Sequence, residues 1–481
     1  NFKAELNVIN GVFSFIISLE DTICIASDIT RSFPLFYTIQ KGKLFLSDDI
    51  LHLKKQFTID NFDKISEIEL KASNHTHGKK TLLKNVFQVQ ASEYLIINND
   101  EVIDRNFFFT YAIEKESSDS YSSLKNKTII TFNNVFKRFI DSLNNRTIVV
   151  PLSGGFDSRL IAIMLKKYNY KNVVCYTYGR KDSFEIENSQ NTAKILNFEW
   201  HFIEYKDDLI SDFLITDEFK DYAHFAGKLS SMPNLQEYFA VKHLKKHKLI
   251  SNDAIFVPGY AGDLLGGSQF LKVIPENLKQ EQIADLIIRK KFSNYPLSKT
   301  EKKTIKNQVE QNLFHFDENY VKKIPSSVFE DYDIKEKIAK YIFNSANFYT
   351  FFGYEHRFPF WDKELLDLFK KVPVKYKNMK MLFNTVLINE YFKPNTVYFE
   401  NELQPSGKSK HTQKIKDQIK PFLPTFVKKR FLQKNDWNNY KPITDQLDTL
   451  IVSKGLKVQK SSKDYNEIIT QWYLYFSKNM I

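Results

Sequence analysis

The sequence predicts an α/β fold: a parallel sheet with helices on both faces, preceded by a mainly β region and followed by a helical extension. Three observations predict it. From residue 147, β-branched apolar runs alternate with helical periodicity, the pattern of successive βα units. Residues 5–110 carry short apolar runs between turn-like or charged clusters. Beyond about residue 275 the spacing reads as mainly helical, with loops expected around 294–300 and 402–412.

The elements follow in chain order. Gly11–Ile17, Thr22–Ala26, Pro34–Tyr37, Lys43–Leu46 and Glu93–Ile97 read as strands. Polar, small residues from Ser117 to Tyr121 read as a linker, so the expected domains are 1–115 and 122–481. Leu124, Ile129, Phe132, Phe136, Phe139, Ile140 and Leu143 fall mostly at three- and four-residue steps, one apolar helix face. Strands are expected at 147–152, 173–178, 200–205 and 254–257, with helices at about 157–168 and 185–196. Ligands of such sheets bind beyond the carboxyl ends of the strands. Ser153, Asp157, Thr177 and Asp263 all stand at or just after a strand end, so they are expected to share one crevice.

The most specific string is Val149-Val150-Pro151-Leu152-Ser153-Gly154-Gly155-Phe156-Asp157-Ser158. A strand runs into a small-residue loop and then into a helix. Glycines allow close backbone approach, successive N–H groups form a nest, and the helix dipole favours an anion. Ser-Gly-Gly-x-Asp-Ser is the signature of the pyrophosphate-loop ATPases, which split ATP between the α and β phosphates; it differs from the Gly-Lys-Thr loop of γ-phosphate transfer.

Four further strings accompany it. They are Pro258-Gly259-Tyr260-Ala261-Gly262-Asp263-Leu264-Leu265-Gly266-Gly267, Gly353-Tyr354-Glu355-His356-Arg357-Phe358-Pro359-Phe360-Trp361-Asp362, Lys380-Met381-Leu382, and an upstream set. The upstream set holds Asn10-Gly11-Val12-Phe13, Asp28, Pro34-Leu35-Phe36-Tyr37 and Leu46-Ser47-Asp48. Together they resemble the asparagine-synthetase-like and β-lactam-synthetase-like ATP-dependent amide ligases over most of residues 10–400. The resemblance implies a HUP-like synthetase domain after an N-terminal-nucleophile (Ntn) glutaminase remnant. In glutamine-using members a cysteine nucleophile lies well upstream of the Asn-Gly-x-Phe string. Here only residues 1–9 precede it and residue 1 is Asn, so no glutaminase activity is expected from this chain and Cys24, inside a strand, does not replace the nucleophile.

The resemblance assigns roles. Leu152, Ser153, Gly154, Gly155, Asp157, Ser158, Tyr176, Thr177 and Gly259 would contact ATP; Asp157 and Asp263 would ligate Mg²⁺, whose hard-oxygen preference they suit. Lys380 would stabilise charge at the α-phosphate. Tyr260 stands where asparagine synthetases tend to have Glu and β-lactam synthetases have Tyr. In the latter, a Glu from a later helix helps that Tyr deprotonate the amine. Asn344-Ser345-Ala346-Asn347, the corresponding stretch, offers no carboxylate, so a structural Tyr260 and a basic one both stay open. The expected reaction is adenylylation of a carboxylate, releasing pyrophosphate, then attack by ammonia or a small amine. Ser158-Arg159-Leu160 and the Gly262-to-Ser268 loop are similar to relatives linked to surface polysaccharides, which points toward a sugar acid.

Bulk properties bound the alternatives. The charge is +12 from 69 basic and 57 acidic residues, which favours an anionic substrate. An RNA-modifying pyrophosphate-loop enzyme competes on that charge, but Cys24 and Cys175 are isolated, and thiolating members rely on cysteine pairs; nucleic acid is not the expected partner. A non-catalytic nucleotide-binding scaffold is the third reading. Two cysteines and no run of about 20 apolar residues lead to the expectation of a cytoplasmic protein with no membrane span or leader. A homodimer or an ammonia-supplying partner stays open. His75-Thr76-His77 has metal-like spacing without an evident third ligand, Glu355 and Arg357 read as a structural ion pair, Glu185 as a helix-dipole partner, and Arg289-Lys290-Lys291 as a solvated face.

Overall fold

A computed structural model describes residues 2–181, 183–210, 213, 216–270, 277–399, 436–453 and 465–479. The expected loop at 402–412 lies outside the described residues.

The N-terminal region holds two antiparallel sheets. One has the order β1-β2-β6-β7: β1 Ser14–Leu19, β2 Thr22–Ser27, β6 Glu93–Asn98 and β7 Glu101–Phe107. The other has the order β4-β3-β5: β3 Phe36–Gln40, β4 Lys43–Ser47 and β5 Val86–Gln88. Asn99 and Asp100 both take positive φ between β6 and β7, as do Lys41 and Gly42 between β3 and β4. Two left-handed residues match the twist of a tight hairpin. Ile25, Leu35, Tyr37, Val89, Leu95 and Ile97 form the apolar layer of this region. A short α1 (Phe2–Leu6), α2 (Ile50–Phe57) and α3 (Lys64–Ser73) complete it, the last two capped by Asp49 and Asp63. Asn10 ties the region to the rest: its amide donates to Asp362 at 2.8 Å, and its carbonyl accepts from Lys363 N–H at 3.0 Å.

α4 spans Tyr121–Asp141, with Ser120 accepting from Ser123 N–H as its cap. Its Leu124, Phe132, Val135 and Phe136 are buried on one stripe, as their spacing requires. Each such Phe contributes about 1.5–3 kcal/mol of burial. The central sheet has five parallel strands in the order β10-β9-β8-β11-β12. These are β8 Ile148–Pro151, β9 Val173–Gly179, β10 Glu199–Glu204, β11 Ile255–Phe256 and β12 Glu355–His356. α5 (Phe156–Lys167) links β8 to β9, and α6 (Phe184–Leu196) links β9 to β10. The chain then returns to the other side of β8. The order therefore reverses between β8 and β11, where a doubly wound sheet opens a crevice. Cys24 and Cys175 are free and buried in β2 and β9.

Two charged features depart from expectation. Arg289-Lys290-Lys291 is not a uniformly solvated face: Lys291 is buried against Asp333 at 2.5 Å, and Lys290 donates to the Gln269 carbonyl at 2.8 Å. The His75/His77 pair does acquire a third potential ligand, one carboxylate. Glu336 Oε2 lies 3.3 Å from His77 Nδ1 and 3.9 Å from His75 Nδ1. Lys340 Nζ, 2.8 Å from the same oxygen, already fills the place of a cation there.

Burial pushes the His75 imidazole down to about 3 and that of His77 well below its usual value, helped by the Lys340 ammonium. The unfolded histidines protonate below about 6.5 while the folded ones stay neutral. Stability is therefore lost as pH falls through that range, by up to about 1.4 kcal/mol per pH unit for each histidine. Buried Glu69 and Glu336, raised above the usual carboxylate range, oppose this by taking up protons in the folded state. Melting curves should show a shallower acid loss for the His75→Gln, His77→Gln double variant than for wild type.

Candidate active site

The crevice holds a cavity of about 700 Å³. Its floor is the loop after β8. Gly155 caps α5 with no side-chain hydrogen bond, so the helix N-terminus faces the cavity uncapped. Ser153 and Ser158 close the loop on itself: Ser153 N–H donates to Ser158 Oγ at 3.2 Å, and Gly155 N–H donates to Ser153 Oγ at 3.1 Å. Arg159, fully buried, donates to the Gly154 carbonyl at 2.6 Å and to Val397 O at 2.9 Å, which fixes the loop from behind. Leu152 is buried beneath it.

The second glycine-rich loop, after β11, presses on the first. A Cβ at Gly259 would stand 2.8 Å from Ser158 N and 2.9 Å from Asp157 Cβ; one at Gly262 would stand 2.9 Å from Asp157 Cγ. Only glycine allows that approach. Asp263 N–H then donates to Asp157 Oδ2 at 2.9 Å. Asp157 Oδ1 is enclosed and has no hydrogen-bond partner among the described residues. Burial and the neighbouring Asp263 carboxylate push Asp157 up to about 8.

The third wall brings Lys380, whose Nζ is 3.9 Å from Asp263 Oδ2. Met379 and Lys380 both lie in the left-handed region, at φ 51° and 58°. A Cβ on Gly266 or Gly267 would meet Phe383, Lys380 or Lys377, so these glycines let the lysine segment pack against the second loop. Lys377, buried, pairs with Glu330 at 2.8 Å beneath it. Asp157, Asp263 and Lys380, far apart in sequence, thus line one cavity.

Tyr260 also lines it, and as expected no carboxylate of residues 344–347 accompanies it. A carboxylate reaches it from elsewhere in the chain, a contact the sequence did not suggest. Glu237, just before the helix Tyr238–Lys246, accepts from Tyr260 Oη at 3.2 Å, from Tyr349 at 2.7 Å and from Tyr176 at 2.5 Å. Burial raises Glu237 above the usual carboxylate range, against the lowering effect of these hydroxyls.

Tyr176 and Thr177 line the cavity with their hydroxyls engaged elsewhere: Tyr176 on Glu237, Thr177 on the Leu152 carbonyl at 2.6 Å. Glu185 stands in the first turn of α6, beside Gly154. Glu355 and Arg357 form an ion pair at 2.7 Å, extended by Arg146. Sequence reading missed Glu237, Asn384 and Trp437. Asn384 Oδ1 is buried without a partner among the described residues, and the Trp437 carbonyl, also on the cavity wall, accepts from Arg180 N–H at 2.8 Å.

The chain is 40% identical over 63 residues to a 7-cyano-7-deazaguanine synthase from Sulfurihydrogenibium sp. (strain YO3AOP1), covering 13% of this chain and 28% of that protein. It therefore spans little more than a quarter of that relative's length. Among solved structures it is similar to an NH3-dependent NAD synthetase from Campylobacter jejuni in complex with nitrate, at 17% identity and TM-score 0.22 over 41% of this chain and 96% of that one. It is also similar to a glutamine-dependent NAD+ synthetase from Acinetobacter baumannii in complex with ADP, at 12% identity and TM-score 0.16 over 66% and 82%. The asparagine synthase family model matches residues 143–387, just over half of the chain, from the turn before β8 past Lys380. Both glycine loops and the lysine segment fall inside that match, and the chain belongs to the asparagine synthase family.

Proposed function

We propose that the crevice binds ATP with a divalent cation and joins a carboxylate to ammonia or a small amine, releasing AMP and pyrophosphate. The observation that carries this reading is the convergence of Asp157, Asp263 and Lys380 at the uncapped N-terminus of α5. Two acidic side chains meet there, one with an enclosed oxygen that has no partner among the described residues, and a hard divalent cation suits that donor set. Asp157 and Asp263 would hold the cation, which when bound neutralises phosphate charge.

The chain's own groups do the rest. The uncapped N–H groups at the start of α5 and the Ser158 hydroxyl hold phosphate oxygens by N–H and O–H donation, on a loop that the Ser153 and Gly155 N–H groups close on itself. Lys380 stabilises negative charge on the α-phosphate as the substrate carboxylate attacks it. The bond to the bridging oxygen breaks and pyrophosphate leaves. The amine nitrogen then attacks the acyl carbon, and AMP departs with the C–O electron pair. A sugar acid is the acyl donor we favour, with L-aspartate as the second candidate.

³¹P NMR of ATP, Mg²⁺, methylamine and either D-glucuronate or L-aspartate should show acid-dependent AMP and pyrophosphate. ADP and phosphate would sink the reading.

A further inference from the structure

Three histidines meet away from the crevice, at one edge of the central sheet. The helix Tyr238–Lys246 ends on His247 as its C-cap. His243 and His247 stand one turn apart on one face of it, with ring centroids 4.2 Å from each other and an interplanar angle of 39°. β10 is the outermost strand, and its alternation sends Glu199, His201 and Ile203 to one side. Tyr205, just past β10, continues that side, and Phe239 of the helix packs edge-on against it at 5.9 Å. The helix therefore crosses the face of the strand that carries His201. His201 Nε2 lies 2.9 Å from Glu199 Oε1.

The surroundings say which ligand suits them. Two imidazoles spaced i, i+4 on a helix can share one ion, and imidazole nitrogen suits Zn²⁺, Ni²⁺ or Cu²⁺ where Mg²⁺ and Ca²⁺ require oxygen. Burial, then the charges of His247, Lys246 and His201, hold His243 below its usual pKa, so it offers a neutral ring. Lys242 is committed to Glu218 at 2.8 Å and Lys245 to the Phe352 carbonyl at 2.7 Å, which leaves Lys246 as the cation that opposes a metal. The Glu199 carboxylate and the negative end of the helix dipole act in the other direction. Among the described residues, the trio whose ligand atoms already lie within 4.8 Å of one another is His75, His77 and Glu336, where Lys340 stands in the way. The sheet-edge pair has no lysine between its rings and reaches solvent through the exposed His247.

We propose that His243, His247 and His201 bind a first-row transition dication, with Zn²⁺ as the expected ion, and that the metal clamps the end of this helix to the edge of the sheet. His243 and His247 chelate it from the helix, and His201 joins by turning its side chain toward them. His201 ligates through Nδ1, because its Nε2–H donates to Glu199; the carboxylate fixes the tautomer and makes the ring a better donor. Water completes a tetrahedral shell. The clamp braces a helix and an outer strand at the margin of the fold, and it stands whether or not the crevice makes amides.

The test uses the full chain, stripped with EDTA, dialysed, and titrated with ZnCl₂ by calorimetry at pH 7 in excess MgCl₂, which competes for the crevice aspartates but not for imidazole. Wild type should bind Zn²⁺ saturably, and its melting temperature should rise with the metal. His243→Gln and His201→Gln should each weaken Zn²⁺ binding about tenfold or more, and Glu199→Gln, which leaves all three ligands in place, about tenfold. The His75→Gln, His77→Gln double variant should bind as wild type does. These sheet-edge side chains reach solvent, so their variants should fold, and the melting temperature without metal checks it. No Zn²⁺ binding by wild type, unchanged affinity in any of the three single variants, or loss of binding in the double variant would each overturn the proposal.

Discussion

Asp157→Asn should cut acid-dependent AMP formation by roughly 10³-fold and make the protein more stable at pH 8 than wild type. The two effects have one cause. Asp157 sits at the head of α5 with Oδ1 enclosed and Oδ2 taken by Asp263 N–H. Desolvation and the Asp263 carboxylate push its carboxyl up to about 8. Between about pH 4 and 8 the folded protein therefore keeps a proton that the unfolded chain releases. The folded state binds more protons, so this group's contribution to stability falls as pH rises through that window, at up to about 1.4 kcal/mol per unit. Asparagine carries no charge and removes that slope, but it also removes half of the anionic pair that would hold a divalent cation. Melting temperatures at pH 5 and pH 8, measured beside AMP formation, check both halves. A variant that keeps wild-type turnover would end the assignment of Asp157.

What the sequence disclosed and what it hid divide along physical lines. The strand–loop–helix at 148–167 was readable because β-branched residues, consecutive glycines and an apolar helix follow one another locally. The helices α2 and α3 were not read, since they are only eight and ten residues long, too short for a helical period to stand out from the apolar runs of the flanking strands. β12 has two residues, too few for any periodicity, yet its pairing with β11 sets the segment from Glu355 to Asp362 beside the second glycine loop. The greatest loss was Glu237. It follows Asn234-Leu235-Gln236, where a carboxylate reads as an ordinary helix-start residue. Its meaning appears only when tyrosines from positions 176, 260 and 349 converge on it. Lys291 shows the same limit from the other side, because a basic run looks solvated until Asp333 is folded against it.

Lys380→Met should lower turnover about 10²–10³-fold, a loss of ~3–4 kcal/mol in transition-state stabilisation, with little change in stability. The lysine is positioned by the turn around it and not by its own ion pair, since Nζ is 3.9 Å from Asp263 and the side chain is a quarter exposed. The turn is costly: Met379 and Lys380 both take positive φ, at about 1–2 kcal/mol each for non-glycine residues. Lys377, buried on Glu330, and the close contacts of Gly266 and Gly267 hold it in that shape. Methionine retains the stem and the backbone strain while deleting the charge. Lys377→Met should behave in the opposite way, destabilising the fold by ~3–5 kcal/mol because it strands Glu330 as an unpaired buried charge. Comparing kcat and KM for ATP with the melting temperature in both variants separates charge from scaffold. Near-normal kcat in a folded Lys380→Met protein would show that the strained turn serves something other than the α-phosphate.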